Sequence, residues 1–207
     1  MDAMLKTICK ELKAHAPFTM FGALTGLVIA AVVVYARMPR SVSEVLFGVF
    51  HPCHVLLSAL ATAGMYRLHT SGKPCPTILI GYFGSIGIAT LSDCIIPYVG
   101  EFLLQLPNRG IHFGFIEKWW LVNPLAAVGI AIAYFWPETK FPHAGHVLLS
   151  TWASLFHVTM ALGGNLDLLR ALLISILLFF AVWIPCCTSD IVFPLLFSKE
   201  QKSPRPC

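Results

Sequence analysis

Six stretches of mostly apolar residues, separated by short polar connections, constrain this 207-residue chain more than any other feature. Each is close to or above the roughly 20 residues that a helix needs to cross about 30 Å of hydrocarbon. They fall at about 17–36, 45–66, 76–100 or on to 106, 119–136, 142–162 and 168–197, and the longest connection, 101–118, is too short for a soluble domain. Hydrophobic residues make up 57% of the chain and charged residues 12%, about half the charged share of a soluble domain. In a bilayer a helix satisfies its own backbone hydrogen bonds, and the alternation of a barrel strand is not seen. The predicted fold is therefore an all-α integral membrane protein of about six transmembrane helices. The first stretch follows a polar segment of sixteen residues and has no small-residue cleavage site, so it reads as a retained helix rather than a signal peptide.

Lys and Arg accumulate on the cytoplasmic side of a membrane protein. With the amino terminus inside, Lys6, Lys10, Lys13, Arg67, Lys73, Lys140, Lys199, Lys202 and Arg205 are inside, and Arg37, Arg40, Arg109, Lys118 and Arg170 outside. That distribution predicts both termini in the cytoplasm, in the plasma (inner) membrane. The net charge of +4 then reflects topology and attraction to lipid headgroups; no basic domain or base-stacking platform for nucleic acid is present. The expected partners are the lipid bilayer and a metal ion, and a homo-oligomer is compatible with the sequence. The cysteines do not form a disulfide framework. Cys53, Cys94, Cys186 and Cys187 read as small hydrophobes in apolar segments, and Cys9, Cys75 and Cys207 as cytoplasmic thiols.

The chain also repeats itself. His51-Pro-Cys-His-Val-Leu-Leu-Ser58 and His143-Ala-Gly-His-Val-Leu-Leu-Ser150 are identical at six of eight positions, at an offset of 92. One helix later, Ser92-Asp93 with Pro97 matches Ser189-Asp190 with Pro194, at an offset of 97. Two motifs in the same order predict a duplicated three-helix unit, 1–106 and 111–207. An odd number of helices per unit sends the second copy into the membrane from the opposite side, so the two should be inverted repeats with a site near the bilayer middle.

At 100° per residue, His51, His54 and Ser58 share one helix face, as do His143, His146 and Ser150, and His157 returns to the second stripe. Polar stripes in apolar helices should face the bundle interior and each other. Imidazoles at i and i+3 can offer nitrogens to one ion, and a carboxylate from a neighbouring helix adds charge. The expected metal ligands are His51, His54, Asp93, His143, His146 and Asp190, with Ser58, Ser150 and His157 as secondary contacts. Nitrogen and oxygen donors suit a divalent transition metal such as Zn²⁺, Fe²⁺, Ni²⁺, Co²⁺ or Mn²⁺. Pro97 and Pro194 are expected to break their helices one turn beyond the aspartates. His15, His69 and His112 read as loop or interface residues.

The segment Phe50-His51-Pro52-Cys53-His54, followed by Leu56-Leu57, resembles the histidine-containing helix of the HupE/UreJ nickel-associated membrane proteins. The three-plus-three plan is similar to the lysine-exporter superfamily and its divalent-metal relatives. Cys53 and Gly145 stand where the nickel families favour Asp before the second histidine, so metal handling, rather than nickel, is what the resemblance implies. The expected function is a membrane transporter, with export the expected direction, of a divalent transition-metal ion. The alternative is an intramembrane zinc-dependent hydrolase acting on a lipid-like substrate. Histidines, aspartate and serine in a helical bundle also resemble the superfamily of alkaline ceramidases and adiponectin-type receptors. Those proteins have seven helices and a His-x-x-x-His pair, against about six helices and two His-x-x-His pairs here. A haem or quinone protein with histidine ligands is a third reading.

Overall fold

The computed structural model describes residues 2–70, 73–137, 140–164 and 166–197, and among these every regular element is a helix. In order they are α1 (Asp2–Tyr35), α2 (Arg40–His69), α3 (Pro74–Thr90), α4 (Ile96–Leu103), α5 (Gly114–Glu117), α6 (Trp119–Phe135), α7 (Lys140–Ala161), α8 (Leu168–Cys187) and α9 (Phe193–Phe197). A π turn over Leu91–Ile95 joins α3 to α4, and a second over Thr188–Val192 joins α8 to α9.

Both π turns have one local cause. Pro97 and Pro194 stand four residues after Asp93 and Asp190, so the N–H that would bond each aspartate's carbonyl is missing and the proline ring crowds that carbonyl. The backbone widens instead. Ile96 donates to the carbonyl of Leu91, and Phe193 to that of Thr188, each five residues back. The break therefore falls at the aspartates themselves, not one turn beyond them as the proline positions suggested.

Among the described residues, four helices are long and apolar enough to cross a membrane: His15–Tyr35 within α1, Arg40–His69, Pro74–Leu103 and Leu168–Cys187. Trp119–Phe135 is apolar but shorter, at 17 residues. In α7, Ser150, Thr151, Ser154, Thr159, His146 and His157 are all buried, which places its polar groups inward. The whole bundle follows that pattern. Phe18, Phe21, Leu24, Phe83, Leu172 and Phe180 are exposed, while Asp93 and Glu101 are 0% and 1% exposed. Apolar outside and polar inside is the arrangement that hydrocarbon, rather than water, stabilises.

Packing does not follow the chain order. One core joins α2, α3 and α6 through Val55, Ala59, Ala63, Ala89, Ala126 and Ile130. The other joins α1, α7 and α8 through Ala30, Leu155, Val158, Ile174 and Leu178. The first helix of each predicted half thus packs mainly on the second and third helices of the other half. Small residues let the backbones approach, which is how helices gain contact where apolar burial drives little association. At Gly129 a Cβ would run into the backbone carbonyl of Leu56 and come within 3.0 Å of the Ala59 Cβ, so only glycine allows α6 to lie this close to α2. Between the two cores, α2 faces α7 along most of its length.

Candidate metal centre

The π turn after α3 directs Asp93 into the space between α2 and α7. Its Oδ2 lies 2.9 Å from Nδ1 of His51 and 2.7 Å from Nδ1 of His54. Its Oδ1 accepts hydrogen bonds from Ser92 and Ser150, both at 2.7 Å. Ser154 donates to the carbonyl of Ser92 at 2.9 Å and approaches the same carboxylate oxygen at 3.5 Å. Four polar neighbours fill the roughly four lone-pair positions of an ionised carboxylate and leave no place for a carboxyl proton. The carboxylate can only accept, so both imidazoles donate through Nδ1–H.

That assignment fixes the histidines' chemistry. With the proton on Nδ1, the lone pair of each neutral ring sits on Nε2, and the Nε2 atoms of His51 and His54 are buried without a hydrogen-bond partner among the described residues. A buried polar atom left unsatisfied costs about 1–3 kcal/mol, which ligation of an ion would offset. One donor atom from each of His51, His54 and Asp93 lies within 4.8 Å of the others. The separations of 2.7 and 2.9 Å are those of hydrogen bonds, whereas two ligands of one tetrahedral ion, each about 2.1 Å from it, stand about 3.4 Å apart. In this arrangement Asp93 orients the two rings and supplies charge behind them.

His54 also belongs to a second set of donors. The rings of His54 and His146 are stacked, centroids 5.7 Å apart and 11° from parallel. One donor atom from each of His54, His146 and Cys186 lies within 4.8 Å of the others, and all three residues are buried. Since Nδ1 of His54 is committed to Asp93, Nε2 is the nitrogen it has left for an ion. A carboxylate behind a ligating imidazole fixes its tautomer and raises its basicity, as at many zinc sites. Two imidazoles and a thiol form a borderline-to-soft donor set, suited to Zn²⁺ or Co²⁺ more than to Mn²⁺.

The expected residues divide into four groups. His51, His54, Asp93, Ser150 and His146 come together between α2 and α7. Ser58 is buried, its Oγ without a hydrogen bond among the described residues. His157 does not join them: its Nδ1 binds the Glu101 carboxylate at 2.8 Å, because the π turn and α4 carry Glu101, two turns beyond Asp93, back against α7. His143 lies in α7 and Asp190 in the second π turn, and both side chains lie outside the described residues.

Cys186, Ser92, Ser154, Glu101 and His112 were not picked out from the sequence. Ser92 stands beside Asp93 in the duplicated motif, and Ser154 continues the face of His146 and Ser150, so both carried a signal. Cys186 and Glu101 carried little, one among apolar residues and one at the edge of a connection.

His51 also borders a cavity of about 460 Å³, lined among others by Glu44, Phe47, His112, Glu117 and Lys118. The polar core therefore adjoins a vestibule carrying both charge signs. No family model, curated protein or solved structure matches the chain.

Proposed function

We propose that this protein is a membrane transporter of a divalent transition-metal ion, held in transit by His54, His146 and Cys186 with Asp93 behind His54. The observation that carries the proposal is the meeting of His54 and His146, matching positions of the two sequence motifs, beside a buried thiol. A charge in the middle of a membrane costs at least about 2.5 kcal/mol on the mildest scale. A thiolate at Cys186 and the Asp93 carboxylate balance the two charges of such an ion.

The inverted repeat belongs to the same proposal, and several features support it. The two π turns carry Ser-Asp at the same places. At the motif offsets Thr62 corresponds to Ser154 and Ser92 to Ser189; the hydroxyls of Thr62 and Ser189 lie 3.2 Å apart, and Ser154 bonds the carbonyl of Ser92 at 2.9 Å. The exchange of α1 and α6 between the two cores is reciprocal as well. Its mechanical consequence is that the bodies rocking during alternating access are α2–α3–α6 and α7–α8–α1, not the contiguous halves of the chain. The site lies where these bodies meet, so tilting one on the other opens it first to one side and then to the other.

Zinc flux into proteoliposomes tests the proposal. The wild type is expected to bind zinc in stoichiometric amount and move it, and His54→Ala and His146→Ala to lose both while remaining folded. Flux retained by both variants would overturn it. Stoichiometric zinc without flux, together with cleavage of a lipid amide, would favour the zinc-hydrolase reading instead.

A further inference from the structure

We infer that Glu101 and His157 form a proton-binding site, reached from the vestibule through His112, that exchanges protons against the metal ion. The inference rests on the transport reading above and supplies its energy source.

Glu101 and His157 are 1% and 0% exposed and take no part in the metal centre. His157 Nδ1 and Glu101 Oε1 are 2.8 Å apart, and Glu101 Oε2 accepts from the backbone N–H of Gly110 at 3.2 Å. With the carboxylate accepting the Nδ1 proton, the lone pair of His157 lies on Nε2, which has no hydrogen-bond partner among the described residues. The pair then holds one uncompensated negative charge in a low-dielectric bundle. A proton added at Nε2 converts it to an imidazolium–carboxylate pair of zero net charge and leaves the connecting hydrogen bond in place. Both states fit the same geometry, as a site that is loaded and unloaded in every cycle requires.

The route to water is short. The His112 ring lies 5.6 Å from that of His157, and its Nδ1 is 3.3 Å from Glu117. His112 and Glu117 both line the vestibule, and their side chains are 26% and 49% exposed. A proton taken up at Glu117 or His112 is therefore one imidazole away from His157.

The other groups facing the pair leave its charge unanswered. Arg109 lies with its guanidinium 5.3 Å above the Phe102 ring, and among the described residues no lysine or arginine is ion-paired to Glu101. From α2 come the Phe47 ring, edge-on to His157 at 5.5 Å, and Ser43, whose hydroxyl accepts from Thr159 at 3.0 Å. From α8, Leu177 packs on Gly100. His51 stacks on Phe47 at 5.3 Å, so a single ring links the proton pair to the metal centre. Two cation sites in one poorly screened bundle disfavour each other's occupancy, and exchange of one cation for the other follows.

Glu101→Gln separates this role from a structural one, because the amide oxygen still accepts the Nδ1 hydrogen bond while the negative charge is gone. The assay uses proteoliposomes holding a pH dye, with labelled zinc. Zinc entry through the wild type is expected to move protons outward. In Glu101→Gln, zinc-for-zinc exchange should persist while zinc-driven proton movement falls by about tenfold or more, the ordinary size of a coupling between sites. His157→Gln should behave alike, and persisting exchange shows that each variant is folded. Proton movement at the wild-type level in both variants, or wild-type zinc exchange indifferent to a pH gradient, would overturn the inference and leave transport standing. Absence of any zinc exchange by the wild type would overturn transport and coupling together.

Discussion

The imidazoles of His54 and His146 lie face to face, 5.7 Å between centroids and 11° from parallel, although they stand 92 residues apart in the chain, on α2 and α7. Asp93 acts on one of them from behind, and Cys186 completes a donor set that neither helix holds alone.

Replacing Asp93 with Asn should weaken zinc binding by about 10–100-fold, the usual effect of losing the partner behind a ligating imidazole. The amide has one oxygen and cannot accept from both histidines and two serines. Competition against a chromophoric chelator measures the affinity. An unchanged affinity would mean that Asp93 does not hold His54 for the ion.

Cys186 gives a spectroscopic prediction. Cobalt bound at the site should show a thiolate-to-cobalt charge-transfer band in the near ultraviolet, and Cys186→Ser should lose it while binding cobalt more weakly. A band that survives the substitution would assign the thiolate to another cysteine.

Proton release fixes the sign of the pH dependence. A thiol and an imidazolium must give up their protons before they can ligate, so affinity should fall as pH falls. Near neutral pH a thiol is ordinarily protonated, and binding should release about one proton per zinc from Cys186. Calorimetry in buffers of different ionisation enthalpy counts these protons. Cys186→Ser should release about one fewer, and equal release by both proteins would contradict the assignment.

Two glycines test the packing. Gly129→Ala pushes a methyl group into the Leu56 carbonyl and should cost about 1–3 kcal/mol, the range for overfilling a tight contact. At Gly87 nothing lies within 4 Å of an added Cβ, so Gly87→Ala should be nearly silent. Thermal unfolding in detergent compares them, and equal midpoints would contradict the close approach of α2 and α6.

The helical character of the fold was legible because hydrocarbon imposes a length and a composition that residues such as Phe21, Leu24 and Val28 satisfy. The meeting of His51, His54, His146 and Ser150 was legible because the 3.6-residue period puts each set on one face, and polar faces in lipid must find each other. The π turns were half legible: Pro97 and Pro194 marked a disturbance, but where it falls depends on which carbonyl each proline deprives of a donor. The destination of His157 was not legible. Its helix face points along the same stripe, and only the path of α4 reveals that Glu101 reaches it first. Nor did local sequence show that α1 packs on α7 and α8 and α6 on α2 and α3, since that is decided by contacts between residues far apart in the chain, such as Thr25 with Trp152.

X-ray absorption at the zinc edge of the detergent-purified protein tests the metal centre most directly. The predicted shell contains one sulfur at about 2.3 Å with nitrogen neighbours at about 2.0–2.1 Å, and the sulfur should disappear in Cys186→Ser. A shell of oxygen and nitrogen alone in the wild type, or no stoichiometric zinc, would contradict the assignment of His54, His146 and Cys186 as the place where the ion is held.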